Sequence, residues 1–125
     1  MKFLSFRKLY LSFKYAFRGL KYIIKSQQSF RIHLVITCLV VALMIYLRVT
    51  LWESVALIVA IVMVLVLELI NSTFEKMMDI LKPRIHPYAE VIKDTMAATV
   101  LIASIAAAAI GLIVFVPYFI DLFTK

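Results

Sequence analysis

The sequence predicts an all-α membrane protein, a helical bundle in which an amphipathic N-terminal helix precedes three transmembrane helices. Of its 125 residues, 65% are hydrophobic, and the mean hydropathy is +1.03. Soluble domains are nearer half apolar. Long runs without formal charge alternate with short charged segments, and two glycines and three prolines leave little room for long loops. We therefore expect residues 1–125 to form one integral-membrane domain.

The segment 5–28 is predicted to be a helix that lies on the membrane surface. Its basic residues recur at spacings of 7, 4, 3 and 4, which places them on one helical face: Arg7, Lys14, Arg18, Lys21 and Lys25. Apolar and aromatic side chains occupy the other side: Phe6, Leu9, Phe13, Phe17, Leu20 and Ile24. This arrangement is typical of an interfacial helix, and so many phenylalanines have no use in a helix that binds nucleic acid. We therefore expect no nucleic-acid partner, despite the net charge of +7.

Three apolar segments are long enough to cross a bilayer, at about 32–52, 54–80 and 94–120. The third is the clearest, because residues 95–120 carry no formal charge. The second begins as a run of aliphatic residues but must continue through a polar stretch to reach the ~20 residues that a span needs. The single cysteine, Cys38, excludes an intrachain disulfide.

The distribution of lysine and arginine predicts the orientation of these spans. Eight basic residues precede residue 32 and four more lie from Lys76 to Lys93, whereas only Arg48 and Lys125 lie on the opposite side. Basic loops are retained in the cytoplasm during insertion. We therefore expect the N-terminus and the 76–94 loop to be cytoplasmic.

A polar face interrupts the second predicted span. Its members are separated by 3, 1, 3 and 4 residues, so they share one side of a helix: Glu68, Asn71, Ser72, Glu75 and Asp79. A carboxylate in the middle of a span costs ~2.5–3.5 kcal/mol even on the gentler insertion scale, and such residues usually mark a functional path. Alternatively, the helix simply emerges into water here. That explanation suits Asp79 and Glu75 but not Glu68, which lies roughly 12 Å before the loop begins.

The chemistry of this face suits phosphoryl transfer at the cytoplasmic leaflet. Clustered carboxylates can lie beside the phosphates of ATP only if a cation such as Mg²⁺ sits between them. The following segment, 82–94, adds cations and an acid that could hold a polyphosphate: Lys82, Arg84, His86, Lys93 and Asp94. No G-x-x-x-x-G-K-[ST] loop is present, so side chains and metal must replace it. A carboxylate just beneath the headgroups could accept the proton of a lipid hydroxyl.

Three stretches resemble the small prokaryotic diacylglycerol and undecaprenol kinases: "FRGLKYIIKSQQSFRIH", "ELINSTFEKMMD" and "HPYAEVIKDTMAATVL". The resemblance covers nearly the whole chain, and the E-x-x-N-[ST]-x-x-E-x-x-x-D pattern is its most specific part. It implies a homotrimer of three-span protomers in the bacterial cell membrane. The reaction that it implies is Mg²⁺-dependent transfer of the γ-phosphate of ATP to a lipid alcohol.

The resemblance also implies roles for individual residues. Glu68 would accept the proton of the lipid hydroxyl and contact the substrate, Asn71 would orient Glu68, and Glu75 would bind the metal. Further residues would hold the nucleotide: Tyr15, Gln27, Glu75, His86, Lys93 and Asp94. Others would contact the lipid substrate: Lys8, Phe30 and Arg31.

Three positions depart from the family pattern. Lys8 stands where the family can carry an arginine. Gln27 stands where the family usually has a glutamate that is the second metal ligand, and an amide oxygen brings no charge to a hard cation. Ala98 stands where many relatives have a glycine that faces a neighbouring helix.

Three alternatives stay open from the sequence. Undecaprenol is the preferred acceptor because "FRIH" and "HP" resemble the Gram-positive branch of the family, with diacylglycerol as the alternative. A non-enzymatic relative of the same fold would be consistent with Gln27. A transporter with a carboxylate relay is disfavoured, because residues 54–67 offer no polar side chain beyond Ser54 to continue the path.

Overall fold

The protein consists of α-helices, as the sequence predicts. The computed structural model describes residues 5–124, apart from the side chains of residues 82–86. The helices are α1 (Phe6–Ser26), α2 (Gln28–Leu47) and α3 (Leu51–Phe123). Within them, three segments are long and apolar enough to cross a membrane: Gln28–Leu47, Leu51–Leu81 and Pro87–Phe123. The prediction of three spans after an amphipathic helix is therefore confirmed.

Helix α3 doubles back on itself to provide two of these spans. A straight helix would separate residues 65 positions apart by roughly 100 Å. Instead, the Tyr118 hydroxyl lies 2.6 Å from Glu53 Oε2, although 65 positions separate them. Near the other end of the hairpin, Lys93 Nζ lies 3.0 Å from Asp79 Oδ1. The first arm (Leu51–Leu81) and the second arm (Pro87–Phe123) therefore run antiparallel, side by side.

The junction between α1 and α2 is a single residue, Gln27. Its backbone is extended (φ −115°, ψ 115°), so α1 ends there and α2 starts in a new direction. The Arg31 guanidinium then reaches back across the junction and donates to the carbonyls of Ile24 and Lys25, at 3.2 and 3.0 Å. This contact satisfies carbonyls that the end of α1 leaves free and fixes the angle between the helices.

The connection from α2 to α3 is equally short. Arg48 adopts the left-handed conformation (φ 51°, ψ 49°), which ends α2 at Leu47, short of the predicted residue 52. Thr50 and Glu53 then start α3 with a capping box, in which Glu53 Oε2 accepts from the Thr50 backbone and hydroxyl, both at 2.8 Å. The residues after Arg48 therefore belong to the turn and to α3.

A hydrophobic core cluster lies at this end of the molecule. The core cluster joins α2 to both arms of α3 and comprises Met44, Leu57, Val114 and Phe115. Because Leu57 lies on the first arm and Met44 near the end of α2, α2 runs antiparallel to the first arm. Most other aliphatic side chains on the spans are exposed, as expected for surfaces that face lipid.

We expect Tyr118→Phe to lower the thermal midpoint of the detergent-solubilised protein by a few degrees. The change removes the hydroxyl that links the end of the second arm to the Glu53 cap at the start of the first. Tyr46→Phe is the matched control, because Tyr46 is 72% exposed. Equal midpoints for the two variants would mean that the Tyr118 contact does not hold the arms together.

A candidate active site around Glu68

The first arm of α3 carries a buried face that turns polar toward its C-terminal end. Leu57, Ala60 and Val64 are buried at helical spacing, and the same face continues through Glu68 and Ser72. Glu68 is 2% exposed and Ser72 is 1% exposed. Both polar residues therefore point into the protomer and away from lipid, which is where a carboxylate within a span can be tolerated.

Glu68 receives a hydrogen bond from another helix. The Ser29 hydroxyl, in the first turn of α2, donates to Glu68 Oε1, and the two residues lie 39 positions apart in the chain. Within the described part of the chain, Oε2 makes no side-chain hydrogen bond. Ser29 itself is exposed, so its hydroxyl lies where the buried carboxylate meets the outside of the protomer. One carboxylate oxygen is thus held by Ser29, and the other has no side-chain partner among the described residues.

Two further hydroxyls are buried, one of them on the same helical face as Glu68. Among the described residues, the Oγ atoms of Ser72 and Ser104 are buried without a hydrogen-bond partner. Ser72 lies one helical turn beyond Glu68 on the same face. Buried polar groups are almost always paired, so unpaired ones mark a place where a ligand or water completes the structure.

The polar face becomes progressively more accessible toward the end of the first arm. Glu68 is buried, Asn71 and Glu75 are half-buried, and Asp79 is exposed. Asp79 forms an ion pair with Lys93 on the second arm, at 3.0 Å. The sequence-based view that Asp79 simply reaches water agrees with its exposure, whereas Glu68 lies deep within the packing.

The donors predicted to bind metal lie on the same side of Glu68. Glu75 follows Glu68 by two helical turns, or about 10 Å. Gln27 precedes Ser29 by two residues, and α2 runs antiparallel to the first arm, so Gln27 lies toward Glu75. Within the described residues, no three His, Cys, Asp or Glu side chains cluster as metal ligands. One carboxylate and one amide fit Mg²⁺, which is commonly bound by one or two carboxylates plus substrate phosphates.

The remaining predicted nucleotide residues are spread along two helices. On α1, Tyr15 is exposed and its ring lies 5.6 Å from the Arg18 guanidinium. On the second arm of α3, Lys93 is half-buried and Asp94 is exposed. His86 lies outside the residues whose side chains are described. Their contacts with a nucleotide stay predictions.

The predicted lipid-binding residues occupy three different environments. Lys8 is exposed on α1, and its backbone amide takes part in the Ser5 cap. Phe30 is almost fully buried, so its ring packs within the protomer. Arg31 caps the end of α1 and is exposed. Each has a structural role beside any contact with substrate.

An apolar groove begins next to the carboxylate. It encloses about 520 Å³ between α2 and both arms of α3, within the range of ~300–1,000 Å³ usual for small-molecule pockets. Val64, one turn before Glu68, lines it, and the groove extends to Phe119 near the other end of the second arm. Its few polar lining residues include His33 and Ser104. An apolar chain lying in this groove would have its head near Glu68.

Sequence reasoning missed Ser29. The residue lies in the quoted stretch "SQQSFRIH", between the predicted Gln27 and Phe30, but a lone serine carries no chemical signature. A physical argument could have found Ser29. Glu68 in a span needs a hydrogen-bond donor, and the first turn of the preceding span lies at the same membrane depth.

This fold and this site define a membrane-embedded α-helical protein with a buried carboxylate, Glu68, within its second span. A family model described as prokaryotic diacylglycerol kinase matches residues 14–115. The chain belongs to that family, and it is therefore a membrane lipid kinase with ATP as its co-substrate.

Relatives with two different names support the family. The chain is 26% identical to the undecaprenol kinase of Bacillus subtilis over 88% of its own length and 89% of that protein. It is 32% identical to the diacylglycerol kinase of Synechocystis sp. over 82% of its own length and 59% of that protein. It is 33% identical to the diacylglycerol kinase of Haemophilus influenzae over 74% of its own length and 78% of that protein.

We expect Ser72→Ala to leave the free energy of unfolding unchanged or to raise it by up to ~1 kcal/mol. The change removes a buried hydroxyl that has no partner in the described part of the chain, so no hydrogen bond is lost. Ser54→Ala is the control, because Ser54 Oγ donates to the Thr50 carbonyl at 2.9 Å. Unfolding in detergent measures both; a larger loss for Ser72→Ala than for the control would reveal an unseen partner.

Proposed function

We propose that the protein transfers the γ-phosphate of ATP to the hydroxyl of undecaprenol at the cytoplasmic face of the bacterial cell membrane. The observation that carries this proposal is the environment of Glu68. Its carboxylate is buried in an apolar span and already accepts a hydrogen bond from a hydroxyl, that of Ser29. A lipid alcohol presents the same chemical group at the same depth.

Glu68 acts as the general base in this proposal. The acceptor hydroxyl donates to Glu68 Oε2, its oxygen attacks the γ-phosphorus, and the bond from that phosphorus to the bridging oxygen of ADP breaks. The hydroxyl proton passes to Glu68, and ADP leaves with the electron pair of the broken bond. Asn71, half-buried on the same face, orients the carboxylate.

The nucleotide binds at the accessible end of the polar face. Glu75 and Gln27 would hold Mg²⁺ there together with ATP phosphates, and a bound ion would supply positive charge beside the phosphate oxygens. Lys93 lies beside this end through its ion pair with Asp79 and supplies a cation for the polyphosphate. Tyr15, His86 and Asp94 complete the proposed nucleotide contacts.

The acceptor is proposed to be undecaprenol, with diacylglycerol as the alternative. The undecaprenol kinase of Bacillus subtilis matches almost all of the chain, whereas the other two relatives described above are named diacylglycerol kinases. The apolar groove beside Glu68 supports a long hydrocarbon chain in either case. Lys8, Phe30 and Arg31 are the further residues proposed to contact the lipid.

The working assembly is proposed to be a homotrimer with its N-termini in the cytoplasm. The excess of lysine and arginine before residue 32 and around residues 76–94 supports this orientation. The half-buried polar face of a single protomer supports oligomerisation, because neighbouring copies would shield Asn71 and Glu75 from lipid.

Glu68→Gln should lower phosphoryl transfer by about 100- to 10,000-fold, because the amide keeps the shape of the side chain but cannot accept the proton. The purified protein in mixed micelles is given ATP and Mg²⁺ with undecaprenol or diacylglycerol offered separately. Glu90→Gln is the matched control, since Glu90 is an exposed glutamate on the second arm.

The outcomes of this assay separate the possibilities. Transfer to undecaprenol that is lost only in Glu68→Gln supports the proposal. Transfer to diacylglycerol alone replaces the acceptor, and normal turnover by Glu68→Gln removes Glu68 as the base. No transfer to either lipid by folded wild-type protein would favour the non-enzymatic relative that Gln27 makes conceivable.

Gln27→Glu should lower the Mg²⁺ concentration that gives half-maximal activity by several-fold. A second carboxylate strengthens a site for a hard cation because it adds charge to the oxygen ligands. Gln28→Glu is the control, since it adds the same charge one residue further along, at an exposed position. An equal change in both variants would mean that any added negative charge in this region lowers the required Mg²⁺ concentration. No change in Gln27→Glu would mean that the metal binds elsewhere.

A further inference from the structure

The hydrogen bond between Ser29 and Glu68 links two helices. Within the described part of the chain, it is the only side-chain hydrogen bond that this carboxylate makes. Ser29 is on α2 and Glu68 is on the first arm of α3. A glutamate side chain has several rotatable bonds and, without a partner, would be free to rotate. Its orientation therefore depends on a residue from a different helix.

We infer that Ser29 is a positioning residue for phosphoryl transfer, an inference that rests on the proposed role of Glu68 as the base. By donating to Oε1, Ser29 fixes the plane of the carboxylate. The other oxygen, Oε2, then has one orientation in which to accept the proton of the acceptor alcohol. A base must lie within about 2.6–3.2 Å of the proton donor's oxygen, so a fixed orientation matters directly to rate.

The exposure of the two residues indicates where the acceptor approaches. Glu68 is 2% exposed, whereas Ser29 is exposed. The side of the carboxylate that Ser29 covers is thus its boundary with the exterior of the protomer. An alcohol that reaches Glu68 from this side passes Ser29, and the serine hydroxyl holds the carboxylate in place as the alcohol arrives.

The buried surroundings make this hydrogen bond strong. Ser72 Oγ, one turn along the same face, is also buried and has no partner among the described residues. Glu68 itself is 2% exposed, and a hydrogen bond to a carboxylate is stronger where water does not compete for it. Among the described side chains, Ser29 is the one that donates to this carboxylate.

The test compares two variants of equal shape, Ser29→Thr and Ser29→Val. Threonine keeps a hydroxyl on the β-carbon, and valine replaces that hydroxyl by a methyl group. We expect Ser29→Val to lower kcat by about 10- to 100-fold, the effect of losing one hydrogen bond to a charged group. The KM values for ATP and for the lipid should stay near those of the wild type, and Ser29→Thr should retain most of kcat.

Thermal unfolding of both variants in detergent controls for folding, because a purely structural role would reduce activity only together with stability. Equal kcat for the threonine and valine variants, with Glu68→Gln inactive and the wild type active, would overturn the positioning role alone. An increase in lipid KM at unchanged kcat would also overturn it, because it would make Ser29 a contact for binding. If the wild type transfers phosphate to neither lipid, the proposed function fails first and this inference fails with it.

Discussion

The burial of one carboxylate within an apolar span constrains the rest of the protomer. Glu68 is tolerated there only because its helix turns this face inward and because Ser29 supplies a donor. The first turn of α2 must therefore lie at the depth of Glu68. The junction at Gln27 follows from this requirement, since α1 has to end where α2 enters the bundle. The amphipathic helix, the metal-binding candidates and the proposed base are thereby brought to the same end of the molecule.

The two ends of the bundle have different physical characters. At the end that holds the connection from α2 to α3, the capping box and the Tyr118 contact combine with a core cluster, and the packing is apolar and tight. At the other end, the buried Ser72 hydroxyl has no partner among the described residues, and polar side chains range from buried at Glu68 to exposed at Asp79. The two ends therefore differ mainly in polarity, since a deeply buried ring, that of Phe30, also lies at the second end.

The sequence predicted the three spans from long apolar runs and the polar face from its helical spacing. The burial of Glu68 and Ser72 on one side of the first arm confirms that spacing. It did not predict the partner of Glu68. That contact joins residues 39 positions apart. It depends on the axial position of α2 relative to α3, which no local sequence pattern determines. The sequence did not predict the left-handed conformation of Arg48 either. An arginine seldom adopts this conformation, and only the short connection from α2 to α3 requires it.

The two contacts that join the arms of α3 also set a length for the chain between them. Nearly the same number of residues separates Glu53 from Asp79 on the first arm as separates Lys93 from Tyr118 on the second. The two arms therefore have nearly equal lengths between these contacts. Inserting one residue in either arm would rotate everything beyond it by about 100° and break one of the contacts. Variation that preserves the fold must therefore substitute residues between these contacts without adding or deleting them, and insertions are confined to the termini and to the reversal between the arms.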